Sequence, residues 1–84
     1  MYFVYLLQSE ANPKKLYIGY TSDLDKRLAQ HNAAKTGFTT AFKPWKIIYY
    51  EAYEKKSLAI ERERQFKRHG NVTSRLKARL NIID

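Results

Sequence analysis

The chain has 84 residues, enough for one domain (1–84) but too few to carry much irregular loop. It holds no cysteine and only two histidines, which excludes disulfides, thiolate metal centres and a structural zinc site, so its core must come from ordinary apolar packing. Its net charge of +8 is uneven: residues 55–84 carry nine basic and three acidic side chains, against seven and five in residues 1–54. A positive field of this kind favours a polyanion, of which nucleic acid is the commonest.

Tyr2-Phe3-Val4-Tyr5-Leu6-Leu7 is a short aromatic and apolar run, which reads as a buried strand. It is also the longest apolar run, far short of the ~20 residues that span a bilayer. No basic leader precedes a longer apolar stretch, so the expectation is a cytoplasmic protein. Ser9 to Lys15, with Asn12-Pro13, reads as a turn. Leu16 to Tyr20 is a second strand, antiparallel to the first. A helix follows, capped by Thr21 or Ser22, packed through Leu24 and Leu28, and ending near residues 32–34. Residues 35–45 read as a polar loop. Lys46 to Tyr53 is the third strand. Ser57 is placed to cap a second helix that runs to about His69 and stops at Gly70. Thr73 or Ser74 begins a third helix, with Leu76 and Leu80 inward. The order is ββαβαα, an α+β domain with a three-stranded antiparallel sheet flanked by helices.

Three features exceed the needs of a scaffold. Arg27 and His31 lie four apart on the first helix and share a face beside the packed stripe. A cation and an imidazole one turn apart suit an anion such as phosphate, although surface pairs of this kind are also commonplace. Glu63 shares a helical face with Ala59 and Phe66, the face that should meet the sheet. A carboxylate there must be paired with a cation, protonated, or bound to a metal. Tyr5 and Tyr17 lie on the two strands of the hairpin and approach Arg27 and His31 if both face the first helix. In the polar loop Lys35, Thr39 and Lys43, and at the end of the second helix Lys67 and Arg68, are candidate nucleic-acid contacts. There is no glycine-rich phosphate loop, and one inward acid leaves no pair of carboxylates for a two-metal site.

Taken together these positions resemble the GIY-YIG nuclease superfamily, in its small single-domain bacterial (UPF0213-like) branch. The first motif reads Phe3-Val4-Tyr5, with the leading glycine replaced, and the second is intact as Tyr17-Ile18-Gly19. Thr21, Asp23-Leu24, Arg27-Leu28 and His31-Asn32 are similar to the helix signature. Thr39, Pro44-Trp45 and the strand ending in Tyr50-Glu51 are similar to the bacterial branch, and Ala59 with Glu63 matches the metal-ligand helix. The resemblance implies an endonuclease that hydrolyses phosphodiester bonds in DNA, structured or damaged DNA included, with one divalent ion (Mg2+ or Mn2+) on Glu63. Arg27 would hold the scissile phosphate, and Tyr17 or Tyr5 would orient or deprotonate the attacking water, its phenol pulled down by Arg27, His31 and the metal. Tyr20 stands where excision-repair members often carry lysine, and Asn71 is a candidate for a late assisting asparagine. With no attached DNA-binding domain in view, the resemblance leaves open weak binding, a preference for unusual structures, or a protein partner for targeting. The alternative is a DNA- or RNA-binding module without catalysis, because basic residues and aromatic faces suffice for binding.

Overall fold

The computed structural model describes residues 1–35, 37–68 and 78–80. The apolar run at the start of the chain forms the centre of an open sheet of order β2-β1-β3. β1 (Tyr2–Ser9) pairs antiparallel with β2 (Leu16–Thr21) on one side and with β3 (Trp45–Tyr53) on the other. A central strand is covered on both faces, which accounts for the unbroken burial of Val4, Tyr5, Leu6 and Leu7. Full burial of each aliphatic side chain among these contributes roughly 1.5–3 kcal/mol.

Alternation along β1 divides the core in two. Val4 and Leu6 meet Ala59 and Phe66 of α3 (Lys56–Arg68), with Ile18, Ile48, Tyr49 and Leu80 against them. Tyr5 and Leu7 meet Trp45 together with Leu24 and Leu28 of α1 (Leu24–Ala33). The two long helices therefore lie on opposite faces of the sheet. The register of β1 with β3 shifts between Leu6 and Leu7, which face Tyr49 and Ile47 respectively. The bulge allows β3 to send Ile47 to the α1 side and both Ile48 and Tyr49 to the α3 side.

The structure bears out the ββαβαα order expected from the sequence, with three local differences. The segment read as a polar loop contains a single helical turn, α2 (Phe38–Ala41), preceded by Gly37 at φ 90°. The cap of α1 is Asp23, whose carboxylate accepts from Lys26 N at 3.1 Å, and neither Thr21 nor Ser22. Thr21 instead closes a tight turn, its hydroxyl accepting from Asp23 N. Ser57 lies inside the first turn of α3 and does not precede it. Of the expected third helix only residues 78–80 are described, with 78 and 79 helical and Leu80 packed on the core; Thr73, Ser74 and Leu76 lie outside the described residues.

Two polar fastenings hold the 38–45 segment to the rest. Asn32 receives Trp45 N at 2.6 Å and donates to Trp45 O at 3.1 Å, pinning the start of β3 to the end of α1. The fully buried Ser9 hydroxyl donates to Phe42 O and accepts from Asn12 N.

Candidate functional site

The hairpin of β1 and β2 turns two phenols toward α1. Tyr5 is 2% exposed, and its hydroxyl lies 2.9 Å from His31 Nε2 and 3.3 Å from Arg27 Nε. A guanidinium can only donate, so the Tyr5 oxygen accepts from Arg27 and its own proton is available to His31 Nε2. His31 suits that acceptor role: burial first, and the positive Arg27 second, lower its pKa and favour the neutral ring. Tyr17 packs against the same imidazole, with ring centroids 4.7 Å apart. His31 is itself only 7% exposed, so it belongs to the core and is not a solvated partner of Arg27.

Gly19 makes this packing possible. It sits opposite Tyr5 in the hairpin register, and a Cβ there would lie 2.5 Å from the Tyr5 hydroxyl and 2.7 Å from Cζ. The Tyr5 ring occupies the space that any side chain at 19 would need.

Beside this cluster, at the outer edge of β2, opens a cleft of about 570 Å³. Tyr17, Gly19 and Tyr20 of β2, Lys26, Arg27 and Gln30 of α1, and Glu63 of α3 are among its lining residues. Glu63 and Arg27 thus reach a common space round the sheet edge although their helices pack on opposite faces. Glu63 is 19% exposed and pairs with Lys67 Nζ at 3.4 Å. This is the cation-paired state that the sequence left open for an inward acid. Among the described residues no three His, Asp or Glu side chains gather to hold a metal. Asp23 also lines the cleft but caps α1, and the Glu63 carboxylate by itself still matches a hard divalent ion that keeps most of its waters and takes further oxygens from a substrate phosphate.

The Tyr5 phenol is pushed above its ordinary value by desolvation, which outweighs the opposing pull of Arg27. The Tyr5 hydroxyl is therefore a neutral donor near pH 7 and no ready base. It does not line the cleft, whereas Tyr17 does.

The candidate nucleic-acid contacts fall at scattered places. Lys35 is exposed after α1, and Lys43 is exposed with its Nζ donating to Ala34 O at 3.2 Å. Thr39 lies on α2. Lys67, besides its pairing with Glu63, is exposed, as is Arg68 at the end of α3. Tyr20 lines the cleft, and Asn71 lies outside the described residues. Sequence reasoning did not anticipate Lys26 and Gln30 as cleft residues. Gln30 lies three residues past Arg27 and four past Lys26 on the same helix, and that spacing was the available signal.

Comparison with known proteins gives a consistent result. Residues 1–79 match the family described as the GIY-YIG catalytic domain. UPF0213 proteins of Streptococcus pyogenes serotype M5 (strain Manfredo) and serotype M3 (strain ATCC BAA-595 / MGAS315) are each 40% identical over 73 residues, covering 86% of this chain and 79% of theirs. The solution NMR structure of a UPF0213 protein from Bacillus halodurans superposes with a TM-score of 0.55 at 24% identity, covering 98% of this chain and 87% of that one. That likeness speaks to the fold alone.

Proposed function

Because the chain belongs to the GIY-YIG family, we propose that it is a metal-dependent endonuclease that hydrolyses phosphodiester bonds in DNA at the β2-edge cleft. The observation that carries this reading is the placement of the Arg27 guanidinium and the Glu63 carboxylate on the walls of a single cleft beside Tyr17; Asp23, the other carboxylate of the lining, caps α1. The family itself speaks for nuclease chemistry on a nucleic acid. DNA as the substrate, the dependence on metal and the individual residue roles are our reading.

Arg27 binds the scissile phosphate and offsets the charge that grows on it in the transition state. Its Nε is taken by the Tyr5 hydroxyl, Nη1 reaches Gln30 at 3.3 Å and the guanidinium also hydrogen-bonds Tyr17, so the N–H groups that remain would face the substrate. His31, held neutral, fixes the Tyr5 hydroxyl, so Tyr5 and His31 act as positioning residues behind Arg27. Tyr17 accepts a hydrogen bond from the attacking water and orients it. Glu63 would hold a Mg2+ or Mn2+ ion, which when bound supplies Lewis-acid polarisation of the phosphate and the leaving oxygen. Lys67 pairs with Oε1, so such an ion would compete with Lys67 there or use Oε2.

The second reading, a nucleic-acid-binding module without catalysis, is favoured by that same Lys67–Glu63 pair, since a carboxylate already matched by a cation has less call for a metal. Incubating the protein with nicked, branched and linear DNA, with and without Mn2+, separates the two. The endonuclease gives metal-dependent products, and Glu63→Ala and Arg27→Ala each lower the rate by at least roughly 100-fold while the fold survives. Undiminished cutting by both variants defeats the assignment of the site. Salt-sensitive binding without any product supports the binding module.

A further inference from the structure

The α1 side of the sheet is covered only in part. From Tyr5 to the far end of β1 it lies under α1 and the 38–45 segment, through Leu24, Leu28, Phe42 and Trp45. On the other side of Tyr5 the same face carries Phe3 and, from β3, Tyr50 and Ala52. Tyr50 is 55% exposed, and Ala52 is exposed beside it. Tyr50 is nevertheless held, because Phe3 meets it edge to face with ring centroids 5.9 Å apart. An aromatic ring fixed by a second ring, on a flat β face, is a surface on which another ring can stack without first losing side-chain freedom.

Position decides what that other ring is. Tyr50 is the direct cross-strand partner of Tyr5, whose hydroxyl meets Arg27 at 3.3 Å. Arg27 meets the Tyr5 hydroxyl on the β2 side, where Gly19 lies, and Tyr50 flanks Tyr5 on the β3 side of the same face, so a strand held at Arg27 and running across that face passes Tyr50. The chain as a whole, at +8, attracts the polyanion that carries such bases. Bases inside a duplex stack on one another and show the protein only their edges, so only an unpaired base can lay its face on a phenol ring.

We propose that Tyr50, braced by Phe3, is a stacking site for an unpaired base of the DNA strand next to the phosphate on Arg27. The preferred substrate class is then DNA with a single-stranded segment at the cut, such as a flap, a gap or a frayed end. The proposal rests on the nuclease reading for its phosphate position, but its test does not require cutting.

Binding of a fluorescent oligothymidylate and of a duplex of equal length is measured in EDTA for the wild type, Tyr50→Ala and Tyr50→Phe. Thermal melting of each variant accompanies the measurement. Tyr50→Ala weakens single-strand binding about tenfold or more, leaves duplex binding within twofold and leaves the salt slope unchanged, since no phosphate contact is lost. Tyr50→Phe restores the affinity. A strand with abasic positions binds the wild type as weakly as the intact strand binds Tyr50→Ala. Equal losses on duplex and single strand, or no loss at all, overturn the proposal. So does a change of oligomeric state in Tyr50→Ala without a change in DNA affinity, which would make the patch a contact between copies of this chain, or tighter binding of the matching RNA than of the DNA. Absence of metal-dependent products with an intact Tyr50 effect would remove the nuclease reading and leave the stacking site standing. Cutting that depends on Arg27 and Glu63 but single-strand binding indifferent to Tyr50 would do the reverse.

Discussion

At the scale of single residues, the Tyr17-Ile18-Gly19 motif acquires a physical reason. The glycine is required by a neighbour's ring more than by its own backbone. Tyr5 cannot move aside cheaply, because its hydroxyl is held by His31 and Arg27 together. Gly19→Ala is accordingly expected to cost about 1–3 kcal/mol of stability, as other overpacked sites do. It should lower any cleavage rate more than stability alone explains, through displacement of Arg27. Chemical denaturation and cleavage assays on the same preparation check this, and a variant that melts and cuts like the wild type contradicts it. The convergence of Arg27, His31 and the two tyrosines was legible from helical spacing and strand placement. The direction of the Tyr5 shift was not, since it depends on how completely Leu7, Trp45 and α1 close over the ring, which no local pattern records.

At the scale of elements, the strongest polar link outside the cleft joins β3 to α3. Glu51 accepts from Arg62 Nε at 2.7 Å and Nη2 at 3.1 Å, from Tyr53 at 2.7 Å and from Tyr49 at 2.5 Å. Arg62 also lies over the Phe66 ring at 4.5 Å. Burial alone would raise the Glu51 pKa, but the Arg62 and tyrosine hydrogen bonds outweigh it and hold the carboxyl at about 2, against an ordinary 4.5. A depressed carboxyl stabilises the fold above its unfolded pKa, and the contribution is lost as pH falls through the window from about 4.5 to about 2. Glu51→Gln is therefore expected to cost about 2 kcal/mol at pH 7, with the difference from wild type closing toward pH 2. Denaturant titrations across that range test it, and a gap independent of pH would show that the charge is not the cause. Because Glu63 follows Arg62 directly, loosening this link should also disturb the cleft. Strands and long helices were readable because alternation and helical period repeat over many residues. The turn at Phe38–Ala41 was not, being too short to show a period. The Glu51–Arg62 link was also hidden, because it depends on which turn of α3 meets which residue of β3, and the bulge at Leu6/Leu7 alters that match.

At the scale of the molecule, net charge makes a prediction that no single contact makes. Binding to DNA should fall roughly 10–100-fold between 50 and 200 mM salt if a few phosphates are neutralised. Replacing exposed Lys35 or Arg68 with Gln should shallow that slope without changing preference among DNA structures. A salt-independent affinity would argue against a phosphate-led interface. Composition made this basic character plain, although it could not say that the exposed cations Lys35 and Lys43 and the adjacent Lys67 and Arg68 fall on separate segments. Among the described residues no helix is long and apolar enough to cross a membrane.

The strand order carries one further consequence, for synthesis on the ribosome. The first strand to emerge is the middle of the finished sheet, and its second flank stays bare until Tyr53 has been made. At ~5–20 residues per second that interval lasts a few seconds. Glu63 of the cleft arrives later still, on α3. An interrupted nascent chain that already displays Arg27 therefore lacks Glu63 opposite it, and chemistry that requires both is withheld until α3 has been made.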